Sequence, residues 1–559
     1  MANKIFKMAS SFCRTAVPMI VLLLSASCSL KENPQSYTLS GNYYRNVSQI
    51  KTGLNACYSP LRLIYTNMGF WEMCECDTDL MYLNVDNQID AVCDISPSRP
   101  GAASPVWQRG YQGVSRTNSM SANIERAVNE GYVTEEEAAP LLAEAAVLRA
   151  FYWYVLTSTF GDVPFYTAAV TEENRESIVR MPRMSAADAR EYCIAELRQR
   201  LPALEARRSY EDGTDFRAGK ALGLMLGGRL CLWNKDWEGA IAFFGELEGI
   251  YGELSSYPLT DVPFSRKFTR ESIWEVPNTY EPYGLQVVGT LASWTTPLRA
   301  QNIVSDEFAQ EEIVSDIYYG IGIPELGPNA QTYTSARPTP YLCQNLLPYS
   351  SPDLRSGEYS AGSESARGGS GNLAWRWEGY SPDDAERSSG KQVFFFGTKS
   401  GDEWVRMNAS STPWLGNKFW CPDLRSTRDA NNYKIFRYAG AVLGLAEAYL
   451  MNGDIPNALK RLNAVRNRAG LTDLSLSDVG GDEELLMEEI RRECAKELLG
   501  EYNRKFDLVR WNIWYERASQ YNTGTIISRN IRPCNRYWPI PADQVAASGG
   551  VLTNIEYGE

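Results

Sequence analysis

One long stretch of the chain is apolar or aromatic at nearly every position. Between Leu141 and Phe160 the only charges are Glu144 and Arg149, and a helix that is apolar or aromatic on nearly every face is one covered on nearly every face. The pattern predicts a helix roughly 30 Å long, at ~1.5 Å per residue, standing as the central post of a large core. Its exit is sharply marked. Gly161 can take the left-handed conformation that closes a helix, and Pro164 cannot continue one. The length also suits a membrane span, but Glu144, Arg149 and the Thr157-Ser158-Thr159 run argue against a lipid-facing role. Upstream, Thr134 to Glu137 has the pattern of a capping box, and Pro140 is expected to kink the join into the post.

Weaker periodicities flank the post. An amphipathic helix is expected from Val47 to Leu63, and a second from Trp71 to Leu80, ending in Asp77-x-Asp79. Two carboxylates one residue apart are common at helix ends, so this pair is read as structural rather than as a catalytic or calcium site. Asn84 to Pro105 is a polar loop region. Trp107, Tyr111, Val114 and Asn118 then recur at three- and four-residue spacing on one helical face, and Ser185 is placed to cap a helix from Ala186 to Leu201.

An internal repeat follows. LCLWNKDWEGAI, Leu230 to Ile241, aligns with AYLMNGDIPNAL, Ala448 to Leu459, so that Asn234, Asp236 and Ala240 fall on Asn452, Asp454 and Ala458. In each copy a helix ends, a short turn follows, Asp caps a second helix, and Ala lets the two helices approach closely, which is the logic of a tetratricopeptide unit. The wide separation of the copies implies helix pairs interrupted by insertions rather than a regular solenoid. Between them, Ser255 to Tyr433 is rich in Gly, Pro, Ser, Thr and Asn, with short strand-like runs at Ser272–Val276 and Gln392–Phe396 and a low-complexity segment, Ser356 to Asn372. Long loops inside a compact protein are usually functional.

The N-terminus changes the picture of location. Lys4, Lys7 and Arg14 precede an apolar run from Val17 to Leu24, and Ser25-Ala26-Ser27 precede Cys28. This is a secretory signal peptide too short to span a bilayer. Small residues before a cysteine look like a lipobox, with Ser25 where the usual pattern has Leu; the alternative is a signal cleaved without lipidation. Acyl chains on Cys28 would anchor the protein, at ~0.8 kcal/mol per buried methylene. The formal charge of −13 makes nucleic acid a poor partner. The chain has no histidine, which excludes Ser-His-Asp and Cys-His catalysis and histidine-ligated zinc. The twelve cysteines are scattered; Cys74-x-Cys76 lacks a second pair at zinc-finger spacing, so no metal or other cofactor is expected. Export permits disulfides, and Cys57, Cys74, Cys76 and Cys93 are near enough in sequence for one or two.

Several of these motifs occur together in one known family. Glu144, Leu148-Arg149-Ala150 and Phe160-Gly161-Asp162-Val163-Pro164 are joined by Phe436-Arg437-Tyr438-Ala439, Leu445-Ala446-Glu447-Ala448 and the Leu462-to-Gly470 block. Arg491-Arg492-Glu493, Phe506-Asp507-Leu508-Val509-Arg510-Trp511 and Trp538-Pro539-Ile540-Pro541 complete the set. The combination resembles the SusD/RagB-type outer-membrane nutrient-binding lipoproteins of Bacteroidetes, departing from the usual Ala-Glu-Val at Ala439-Gly440-Ala441. Ser29 to Asn33 also resembles the surface-export signals of such lipoproteins. The resemblance implies a mainly α fold, with tetratricopeptide-like helix pairs forming a scaffold and a large loop-rich insertion carrying a few short β-strands. The chain then divides into a signal peptide (1–27), an N-terminal helical scaffold part (28–254), a loop-rich ligand-binding insertion (255–433) and a C-terminal helical scaffold part (434–559), with 28–559 forming one compact unit.

The function implied is capture of a nutrient, above all an oligo- or polysaccharide, at the cell surface. The protein would be held to the outer membrane by its lipid and would deliver ligand to a SusC-like TonB-dependent transporter. Two other classes compete: a glycoside hydrolase using two carboxylates, which needs no histidine, and a helical-repeat adaptor that binds only proteins. No motif places two acids together for the first, and the second leaves the aromatic loops without a role. A saccharide site needs exposed rings beside polar groups. In the helical blocks, Trp153, Trp233, Trp237 and Trp511 read as packing; so does Trp107, since in the family a similar Trp, Tyr and Asn set packs the core. Loop candidates are Tyr82 with Asn84, then Tyr280, Tyr283, Trp294 and Arg299, then Trp375 and Trp377. In the family, ligand residues come from loops before the Trp-Tyr-Asn helix and after the strand resembling Ser272–Val276, which favours the first two groups. Trp294 lies in GTLASWTTPLRA, read as a loop in which an indole has no helical or strand face to pack on.

Overall fold

The computed structural model describes residues 43–558 apart from 84–87, 212–215, 281–287, 297–303, 306–330, 334, 349–350, 360–369, 371, 378–393, 396, 401–402, 407–413, 417, 422–423 and 525–526. The expected signal peptide and Cys28 lie outside them. The post is a single helix, Glu135–Phe160, opened by the capping box: the Glu137 amide donates to the Thr134 hydroxyl and the Thr134 amide donates back to the Glu137 carboxylate. Pro140 does not break it. The one helical bond that proline removes would have used the carbonyl of Glu136, an exposed residue whose carbonyl water can serve.

From Ala143 to Phe160 every residue of this helix is buried. Helices Ala103–Asn129, Ala186–Arg200 and Lys220–Asn234 pack around it, so a helix apolar on all sides is covered on all sides. Among the described residues it is the one helix long and apolar enough to cross a membrane, and it is enclosed by protein instead. The two charges of its buried stretch are compensated. Glu144 accepts from the Tyr58 hydroxyl and pairs with Arg217 at 2.8 Å; Arg149 pairs with Glu196 and donates to Asn118 at 3.1 Å. Gly161 closes the post with φ 71°.

The repeat forms two helix pairs. Lys220–Asn234 leads through Lys235, φ 57°, to Trp237–Tyr251, and Tyr438–Met451 leads through Gly453, φ 80°, to Ile455–Arg468. Asp236 caps the first pair, accepting from Gly239 N at 2.9 Å, and Asp454 caps the second, accepting from Asn457 N at 3.2 Å. The pairs pack on each other through Trp237–Tyr251 and Tyr438–Met451. Phe244 fills the junction, where a Cβ on Gly228 would lie 2.3 Å, and on Gly444 2.6 Å, from its ring. One apolar cluster runs from Ile50 through the post to Leu552.

Two expected helices differ. Val47–Leu63 is two helices, Val47–Asn55 and Ser59–Tyr65, with Pro60 in the first turn of the second, where its missing N–H costs no helical bond. Trp71–Leu80 is a short helix, Met68–Trp71, running into a wide π-type turn, Glu72–Cys76. The chain leaves it at Asp77, where the acids are drawn into buried ion pairs: Asp77 with Lys505 at 2.5 Å and Asp79 with Arg504 at 2.6 Å.

Short strands supply part of the regular structure between the two helix pairs. Ser272–Val276 pairs antiparallel with Tyr433–Arg437, both wholly buried. Phe394–Phe395 pairs with Val304–Ser305, and Ser356–Tyr359 runs parallel to Leu373–Trp377. Buried ion networks tie this stretch to the C-terminal helices. Arg437 reaches Glu271 at 2.8 Å, Glu501 at 2.9 Å and Glu497 at 3.0 Å; Arg355 joins Asp353 at 2.7 Å and Glu493 at 2.8 Å. Burial alone would raise the Glu497 carboxyl, but Arg468, Arg437 and Arg355 hold it far below the usual carboxylate range. The disulfides that export would permit are not present: Cys57, Cys74, Cys76 and Cys93 are buried free thiols.

Candidate functional site

Three of the sequence candidates, Tyr82, Tyr280 and Trp294, stand on described residues, and each is half-buried. Asn84, Tyr283 and Arg299 lie outside the described residues. Trp375 and Trp377 sit on the strand Leu373–Trp377 rather than in a loop.

Trp294 is also not in a loop. Leu291–Thr295 forms one helical turn, and Trp294 packs one side of its indole against the core. Tertiary bonds impose this turn on a sequence with little helical propensity of its own. The Tyr433 hydroxyl accepts from Thr290 N at 3.0 Å and Leu291 N at 3.2 Å, and the Asp429 carboxylate accepts from Ala292 N at 3.0 Å. These acceptors satisfy the free N–H groups that begin any helix. Gly289 is required just before, since a Cβ there would meet the Tyr433 oxygen at 1.7 Å. Burial and the nearby Asp429 raise the Tyr433 phenol well above its ordinary value, so it remains protonated.

Asp429 belongs to a tongue that organises the neighbourhood. Its backbone exchanges two hydrogen bonds with Gly289, and the tongue folds back on itself through paired bonds between Arg425 and Arg428 around Ser426, φ 56°. Tyr280 is fixed to the same tongue: its hydroxyl donates to the Arg428 carbonyl at 2.7 Å, and the Arg425 guanidinium lies 4.1 Å from its ring centre. Gln331 N donates to the Ser426 carbonyl, and Tyr333 N donates to the Ser293 carbonyl at 2.8 Å beside Trp294. The strand that follows, Ala336–Pro338, pairs with Met81–Leu83, setting Tyr82 opposite Arg337.

Tyr82, Tyr280 and Trp294 are therefore attached to one hydrogen-bonded frame. The frame adds three residues that the sequence reading missed: Tyr333, 42% exposed, and the exposed Arg425 and Arg428. The only advance signal for the arginines was their symmetric spacing in LRSTRD, which marks a tight turn but not what the turn touches. Exposed rings beside guanidinium donors can stack on the C–H faces of a sugar and donate to its hydroxyls. Among the described residues no group of three or more Cys, Asp or Glu is placed to hold a metal ion, and Asp77 and Asp79, the one acid pair singled out in the sequence, are committed to Arg504 and Lys505.

Comparison with known proteins matches the architecture. Residues 370–557 match the SusD family, and residues 75–186 match the family described as "Starch-binding associating with outer membrane". The chain is similar to the SusD-like protein P25 of Formosa agariphila, 21% identical over 543 residues and covering 94% of each chain. Its fold is similar to that of a SusD homolog from Bacteroides thetaiotaomicron (TM-score 0.69, 18% identity, 92% of this chain and 98% of that one). It is also similar to surface glycan-binding protein A from the same species in complex with laminarihexaose (TM-score 0.63, 19% identity, 90% and 98%). With both ends of its helical scaffold matched and the fold shared along nearly its whole length, this chain belongs to the SusD/RagB family.

Proposed function

We propose that this protein binds glycans at the outer membrane, as a lipid-anchored surface protein that passes its ligand to a TonB-dependent transporter and performs no catalysis itself. The observation that carries the reading is the frame around Tyr280 and Trp294, where half-buried rings and exposed arginines are held in place by the scaffold instead of being packed away in it. Support comes also from relatives that carry glycan binding in their names, among them a laminarin binding SusD-like protein. The same reading takes Tyr82, Asn84, Tyr280, Tyr283, Trp294 and Arg299 as ligand contacts, with Tyr333, Arg425 and Arg428 added.

A glycan array on the soluble form beginning at Ser29, repeated with Trp294→Ala, tests the site. Binding to at least one glycan is expected, weaker by ~1–3 kcal/mol in the variant. Unchanged binding would remove Trp294 from the site, and release of reducing sugar by the purified protein would favour a hydrolase. For the anchor, a Cys28→Ser protein is expected to leave the outer-membrane fraction.

A further inference from the structure

An aromatic cleft of about 630 Å³ lies by the start of the Ser59–Tyr65 helix and the end of the Ser272–Val276 strand. Two aromatic groups line it, one stacked and one packed edge-on and tilted. Tyr58 and Trp274 are parallel at 5.9 Å, while Phe268 contacts Tyr210 at 5.0 Å and Phe216 at 4.7 Å. Phe216 is 47% exposed, so this is not ordinary core packing.

The second group is held under strain. Tyr210 and Phe268 both have left-handed backbones, φ 59° and 50°, which is costly for bulky side chains and persists only where surrounding structure enforces it. Buried Glu275 enforces it: its amide donates to the Tyr210 hydroxyl at 2.9 Å, and its carboxylate accepts from Phe268 N at 2.8 Å. That carboxylate is further satisfied by Ser272 and by Asn432 at 2.8 Å, so it is not available to a ligand. The other polar groups of the cleft are likewise engaged. Asn55 accepts from Arg217, Arg217 pairs with Glu144, Ser59 accepts from Arg116, and Tyr58 donates to Glu144.

Arg62 is the exception. Half-buried at the cleft, it donates to the Pro277 carbonyl but pairs with no carboxylate among the described residues. A desolvated guanidinium without an anion beside preorganised rings favours a flat apolar body bearing one negative charge. A sugar would find rings here but almost no free hydrogen-bonding groups. The geometry points to a binding site for a small aryl carboxylate, its ring against Phe216 and Phe268 and its carboxylate on Arg62.

Calorimetric titration with 2-naphthoate and the neutral 2-naphthamide tests this on the soluble protein. One saturable naphthoate site is expected, with naphthamide binding at least tenfold more weakly. Arg62→Gln should abolish that difference, Arg62→Lys should retain part of it, and Phe216→Ala should weaken both ligands. Equal affinity of the two probes for the unmodified protein, or no saturable binding of naphthoate, overturns the assignment without recourse to any variant. Displacement of naphthoate by a neutral oligosaccharide also overturns it, in favour of a second sugar subsite.

Discussion

Arg437 and Arg425 carry the same guanidinium into opposite surroundings. Arg437 is almost wholly buried and closed in by Glu271, Glu497 and Glu501. Arg425 stands exposed on the tongue with one face over the Tyr280 ring. In the scaffold, charged groups are spent on one another and fasten distant parts of the chain. In the loop-borne frame the backbone is held just as firmly, through Asp429 and Tyr433, while side chains are left able to meet something outside. The difference teaches where to look for function: at side chains whose backbone is overdetermined but whose own interactions are incomplete.

One substitution made at both places tests the contrast directly. Arg437→Met takes one partner from each of three buried glutamates, and breaking such a network by removing one member costs about 3–5 kcal/mol; urea unfolding should show a loss of that size. A loss under about 1 kcal/mol would mean that the network contributes little. Arg425→Met is expected to leave unfolding within about 0.5 kcal/mol of the unmodified protein, yet to weaken glycan binding by about 1–2 kcal/mol. The reverse pattern would break the comparison.

The scaffold contains its own exception, which pH can expose. Glu72 is 1% exposed and neither carboxyl oxygen has a hydrogen-bond partner among the described residues; burial, with Asp90 adding to it, pushes its carboxyl up to about 8. A folded value above the unfolded one means that stability from this group is complete below the unfolded value of 4.5 and is lost as pH rises through about 8. Glu497 has the opposite sign: its depressed carboxyl stabilises the fold above its unfolded value, and that contribution is lost in acid. Glu72→Met should therefore raise stability at pH 8.5, on the order of 1–2 kcal/mol relative to its effect at pH 5. Parallel pH profiles of the two proteins would contradict this. The smallest effect concerns the repeat. Asp236→Ala and Asp454→Ala each remove one helix cap and should each cost about 1 kcal/mol by thermal unfolding, and unequal losses would show that the two pairs are not equivalent in energy.

Much of this molecule was legible in the sequence wherever the controlling interactions are local. The capping box at Thr134, the turn at Gly161, the Asp caps at Asp236 and Asp454 and the apolar post each depend on residues within a few positions, so spacing alone reveals them. Ser272–Val276 was equally readable as a strand, although not its partner. The signal failed where a distant residue overrules local preference. GTLASWTT reads as a loop until Tyr433 and Asp429 supply the acceptors that make Leu291–Thr295 a helix, and Asp77-x-Asp79, which does stand at a helix end and is structural, takes partners, Lys505 and Arg504, that no local pattern reveals.

The sequence by itself determined the helical scaffold, the paired repeat and the family, because hydrophobic period and cap chemistry are carried by neighbouring residues. Only the tertiary structure decided which side chains are available for binding. Exposure is not a property of a residue or its neighbours; it depends on whether some remote segment comes to cover it, as Arg425 covers one face of Tyr280 while Arg62 is left with no carboxylate of its own among the described residues.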